Sequence, residues 1–99
     1  MNIAIDFDET ITLDPSMWKK VIKIMKDSGH CVYCVTLRND SIKNVTEVYS
    51  VIGNDVDAIF FTGGMAKKDY MYDQGFYISV WIDDNPFLIV NDARGYIHE

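Results

Sequence analysis

Four apolar runs in this chain each stop on a residue able to do chemistry. Residues 3–5 stop at Asp6, 31–35 at Thr36, 58–61 at Thr62, and 77–82 at the pair Asp83-Asp84. Asp8 follows Asp6 by two positions. A lone aspartate at a strand end is commonly a cap or a turn former. Several gathered in one place repel one another, and a bound cation relieves this. Hard oxygen ligands suit Mg2+, which takes one or two carboxylates together with water and phosphate oxygens. A carboxylate can also attack a phosphoryl group and carry it as an aspartyl phosphate. A metal and a lysine ease the approach of two anions, and a second carboxyl held nearby can protonate the leaving oxygen.

These residues meet only if the elements between them bring the run ends to one edge. Each run is apolar on both faces, as in strands covered by helices on both sides. Asp14-Pro15 places an N-cap before a proline at the first helical position. Trp18, Val21, Ile22 and Met25 then share a stripe, Lys19, Lys20, Lys23 and Lys26 mostly face water, and Gly29 ends the helix. A second helix is predicted from near residues 39–41 to just before Gly53, and a third from about Met65 to Gln74, stopping at Gly75. A short helical piece after Pro86 and a last strand over 96–98 complete the order. This βαβαβαβ pattern predicts an α/β fold, a three-layer α/β/α sandwich around a doubly wound, mainly parallel, five-stranded sheet of Rossmann-like type. In such a sheet the carboxyl ends of the strands share one edge, and ligands bind in the crevice there.

Composition bounds the reading. The 99 residues make one domain, spanning 1–99, because a second core would be too small to bury itself. Acidic residues outnumber basic ones 15 to 9, a net charge of −6, so nucleic acid is expected only as a substrate and not along a broad basic footprint. Cys31 and Cys34 lie three apart on a strand and so point to opposite faces, which disfavours a redox or zinc pair and fits small buried hydrophobes in a reducing compartment. No apolar run approaches the roughly 18 residues of a membrane span. The expectation is a soluble, cytoplasmic chain with no membrane partner.

Asp6-Phe7-Asp8-Glu9-Thr10 after the first strand resembles the Asp-x-Asp-x-Thr signature of the haloacid dehalogenase-like hydrolase superfamily, phosphatase branch. Thr36 fits that family's second motif, a lysine at the start of a later helix its third, and Asp83-Asp84 its acidic fourth. The resemblance covers nearly the whole chain in the right order. It implies a Mg2+-dependent phosphatase that hydrolyses a phosphate monoester. Asp6 would be the nucleophile and a metal ligand. Asp8 would be the general acid and base, with its backbone carbonyl on the metal. Thr36 would bind phosphoryl oxygens, Asp83 would bind the metal, and Asp84 would support it through water or the outer shell. Asp6, Asp8, Asp83 and Asp84 are thus assigned to one Mg2+ site. Lys67 and Lys68 compete for the lysine role, and Lys67 is preferred because Tyr70 and Met71 follow it with the apolar spacing seen in the family. Glu9 stands where many members have Gly and is expected to face solvent, while Thr10 shapes the turn.

Arg38 and Asn39 follow Thr36 closely. Arg38 can bind the phosphate or another substrate anion with a bidentate fork, or it can pair with an acidic neighbour. Asn39 can cap the next helix, whose N-terminal end favours an anion nearby. His30 and His98 read as structural or exposed, Trp18 and Trp81 as core or helix-to-sheet packing, and Tyr70 and Tyr72 as packing residues with one at the cleft mouth as the other reading. Only residues 11–13 separate Thr10 from the first helix's cap, and only 62–66 separate the third strand from Lys67. Neither gap holds the cap domain that many family members insert. A capless site is open, so it calls for a large phosphorylated substrate or a homo-oligomeric partner that covers it. Nucleotides, polynucleotide ends, sugar phosphates and phosphoproteins all fit. Two alternatives stand beside hydrolysis. One is a receiver-like phosphorylatable signalling domain, although receivers carry their acceptor Asp after the third strand, where this chain has Thr62. The other is a non-catalytic Mg2+-binding domain.

Overall fold

The computed structural model describes residues 1–93. The strand expected over 96–98, with His98, lies outside the described residues. Strands β1 (Asn2–Ile5), β2 (Cys31–Thr36), β3 (Ala58–Phe61) and β4 (Val80–Ile82) form a sheet in the order β3-β2-β1-β4. Every pairing is parallel, with Ile3 opposite Val32 on one side and Val80 on the other. The described residues therefore give a parallel sheet of four strands, not the five expected.

The helices cover both faces. Helices α1 (Pro15–Asp27) and α2 (Ile42–Ile52) bury Ile22, Val48 and Ile52 with Ile3, Ile5, Val32 and Cys34. On the other face, Met71 of α3 (Lys67–Asp73) packs with Ala4, Tyr33, Val35 and Ile78, beside Trp81 and the edge-on rings of Tyr33 and Phe76. A short helix, α4 (Phe87–Val90), follows β4. Each fully buried aliphatic side chain of this core contributes roughly 1.5–3 kcal/mol.

Local chemistry explains the boundaries. Asp14 caps α1, its carboxylate accepting the Met17 N–H at 3.2 Å. The helix closes with Gly29 at φ 93°, where Gly29 N–H reaches Lys26 O and His30 N–H reaches Met25 O. That pair of bonds is a left-handed cap which only glycine adopts without strain. Ser41 caps α2 through the Asn44 N–H, with Asn39 bracing Ser41 from two residues before. Helix α3 is shorter than expected because Thr62 closes a turn over Gly63-Gly64, its hydroxyl donating to Met65 O at 2.9 Å. Strand β4 is shorter too. Among the described residues it lies at a sheet edge, and β1 offers partners only from Ile3 to Ile5.

The lysine face of α1 is neutralised locally. Lys23 pairs with Asp27 at 2.7 Å, Lys26 with Asp57 at 3.6 Å and Lys19 with Asp55 at 3.9 Å. Cys34 is buried and Cys31 exposed, so the two thiols do face apart. Among the described residues no helix is long and apolar enough to cross a membrane.

Candidate active site

The order of the strands puts β1 and β4 side by side, at the point where successive connections reverse direction. Asp6 and Asp83 leave these two strands as neighbours, and Asp6 N–H is held by Ile82 O at 2.9 Å. Between them comes Lys67 from the first turn of α3. Its Nζ donates to Asp6 Oδ1 at 2.8 Å and to Asp83 Oδ2 at 2.6 Å. The lysine is 1% exposed, and the Asp83 side chain is 3% exposed. Lys68 is exposed, so of the two lysines it is Lys67 that enters the cleft.

Asp84 completes a group of three carboxylates. Asp6, Asp83 and Asp84 each present an oxygen within 4.8 Å of the others. Burial pushes the Asp6 carboxyl up, a hydrogen bond with Asp84 adds to this, and Lys67 pulls it down; the result is about 7. One ammonium thus offsets three acids only in part. The all-oxygen donor set fits a hard divalent cation such as Mg2+.

The loop after β1 is built to turn sharply. Phe7 plunges into the core beneath it. Glu9 has φ 61°, making it the only non-glycine residue with positive φ among the described residues. A side chain there is strained, and glycine is the residue that adopts this conformation freely. Glu9 N–H is held by Thr12 Oγ1 at 3.0 Å. The Thr10 hydroxyl lies 3.5 Å from Asp6 Oδ2, so Thr10 touches the nucleophile candidate as well as shaping the turn. The i, i+4 spacing was the only trace of this in the sequence.

Asp6, Asp8, Glu9, Lys67, Asp83 and Asp84 line a cleft of ≈ 170 Å³, with Leu37 and Leu88 as apolar walls. The Asp8 carboxylate stands apart from the three-acid group and is gripped by Arg38. Thr36 is buried at the end of β2, its hydroxyl accepting the Arg38 N–H at 3.3 Å. Asn39 is tied to the start of α2, receiving both Ser41 N–H and the Asn44 amide. Thr36, Arg38 and Asn39 are not on the cleft lining. Tyr70 packs edge-on against Phe60 and Tyr72 is exposed, so neither forms the cleft mouth.

Three supporting residues were missed from the sequence. Asn44 and Glu47, both on α2, receive the Arg38 guanidinium. Asp92 accepts the Ala66 N–H at 2.8 Å, securing the turn from which Lys67 projects. These contacts span long stretches of chain and carry no local signature. The 62–66 and 10–14 segments are tight turns, and neither departs from the domain. No family model, curated protein or solved structure matches this chain.

Proposed function

We propose that this chain is a Mg2+-dependent phosphate-monoester hydrolase of the haloacid dehalogenase-like type. The observation that carries the reading is the buried Asp6–Lys67–Asp83 arrangement at the switch of strand direction, with Asp84 beside it. A buried lysine shared by two aspartates is expensive as a purely structural device. It makes sense where a nucleophilic carboxylate must meet an anion.

In this reading an Asp6 oxygen attacks phosphorus, and the bond from phosphorus to the leaving oxygen breaks. Asp8 gives its proton to that oxygen. Water then attacks the phosphorus of the aspartyl phosphate while Asp8 takes a proton back, releasing phosphate and freeing Asp6. Lys67 offsets the charge of Asp6 and of the incoming phosphoryl group. Asp6, Asp83 and Asp84 are the side chains that would hold Mg2+, with the Asp8 carbonyl completing the set by resemblance. The ion, when bound, supplies positive charge to the phosphoryl oxygens.

The test is Mg2+-dependent release of phosphate from an aryl phosphate and from a panel of nucleotide and sugar phosphates. Asp6→Asn should abolish it, lowering kcat by about a thousandfold or more. Equal inertness of wild type and variant over the panel would refute the reading.

A further inference from the structure

Resting on the hydrolase reading, we propose that Arg38 is a positioning residue for Asp8 and not a ligand of the substrate. Arg38 Nε donates to Asp8 Oδ2 at 2.9 Å and Nη2 to Asp8 Oδ1 at 2.8 Å. A two-point fork of this kind fixes both oxygens, and with them the plane of the carboxylate. Among the described residues Arg38 supplies all the hydrogen bonds to that carboxylate. Without it, Asp8 sits on a turn with its side chain 49% exposed and nothing to aim it.

The rest of the guanidinium is also occupied. Nη1 donates to Asn44 Oδ1 at 3.3 Å and lies 3.2 Å from Glu47 Oε2, and Nη2 reaches Glu47 Oε1 at 3.2 Å. Every nitrogen of the fork therefore has an acceptor, and two carboxylates already answer one positive charge. A phosphoryl group would have to break an ion pair to take a place there. The guanidinium is also held from behind. Its carbon lies 5.2 Å from the Phe7 ring centroid, and buried Asn44 is pinned by Asn39 at 2.9 and 3.2 Å. Glu47 keeps the guanidinium paired when Asp8 releases one oxygen for proton transfer. Asp8 lines the cleft and Arg38 does not, as expected of a residue that acts through another.

The two roles separate by leaving group. Proton donation matters more as the leaving alcohol becomes poorer, whereas phosphate binding affects every ester alike. Arg38→Gln and Arg38→Lys are assayed with Mg2+ on a series from p-nitrophenyl phosphate to a simple alkyl phosphate. Inorganic phosphate binding is measured by thermal shift in parallel. Expected for Arg38→Gln is a loss in kcat about tenfold or more steeper for the alkyl ester than for the aryl ester. Phosphate affinity should stay within about twofold, since no phosphate contact is lost. Arg38→Lys should not rescue, because an ammonium keeps the charge and loses the fork. Asn44→Ser removes only the rear support. It should show the same slope to a smaller extent, and it decides the matter should the Arg38 variants not fold. Equal losses for all esters, a fall in phosphate affinity, or rescue by lysine would overturn the inference. A wild-type protein inert on every ester overturns the hydrolase reading itself, and this inference with it.

Discussion

Lys67 and Asp6 are 61 positions apart in the chain, yet their charged atoms lie 2.8 Å apart in a setting that nearly excludes water. The same ammonium reaches Asp83 on the neighbouring strand. Replacing it strands two acids at once.

Lys67→Met should therefore destabilise the metal-free protein by about 3–5 kcal/mol above neutral pH, because a buried pair loses one partner. Urea denaturation at pH 8 measures this. The loss should shrink at pH 5, where Asp6 is protonated, and added Mg2+ should recover part of it at pH 8.

Asp6 also sets a pH dependence. Its carboxyl is raised from 3.8 to about 7, chiefly by burial. The folded state thus binds this proton more tightly than the unfolded chain. The contribution to stability is complete below the unfolded value and is lost as pH rises through about 7. Compared with Asp6→Asn, the metal-free wild type should lose about 2–4 kcal/mol of stability between pH 4 and pH 8. Stabilisation by Mg2+ should grow over the same range, since the ion competes with that proton. Thermal melts with Mg2+ and with a chelator check both directions.

Glu9 holds a left-handed backbone that glycine would adopt freely. Glu9→Gly relieves roughly 1 kcal/mol of local strain and gives back part of it as unfolded-chain entropy, leaving a net gain of about 0.5 kcal/mol. Glu9→Ala, which keeps a Cβ, should show no such gain. Parallel melts of the two variants distinguish backbone strain from the loss of the carboxylate.

Asp92→Ala removes the acceptor of the Ala66 N–H, on a residue 1% exposed. A cost of about 1–3 kcal/mol is expected for a buried donor left without a partner. Because Lys67 is the next residue, the variant should also lower the proposed phosphatase activity while Asp6, Asp8, Asp83 and Asp84 are all intact. Activity and denaturation measured on one preparation would show whether the two effects travel together.

The parts legible in the sequence were those with a local code. Strands apolar on both faces, the Asp14-Pro15 start of α1 and the Gly29 stop all follow from short-range preferences, and the structure has them. So does the alignment of Asp6, Thr36, Thr62 and Asp83 at strand ends, because parallel strands share a direction. Helix phase separates Lys67 from Lys68, and the structure buries Lys67 in the cleft and leaves Lys68 exposed. What could not be read was set by side chains meeting across the fold. Arg38 offered two readings in the sequence, and only the position of α2 brings Asn44 and Glu47 to it. The left-handed Glu9 was hidden for another reason. Glutamate does not announce positive φ, and the turn is imposed by Phe7 anchoring below and Thr12 above.

The central place of β1 has a consequence for synthesis. Synthesis runs from Asp6 toward the strand that flanks it on one side, Val80–Ile82, which comes only after β2, β3 and α3. Until that strand docks, the carboxylate has neither Asp83 beside it nor the closed pocket that raises its proton affinity. A polypeptide halted before Val80 would carry Asp6 and Lys67 on a half-built edge. The carboxylate site is therefore assembled only once β4 has docked against β1.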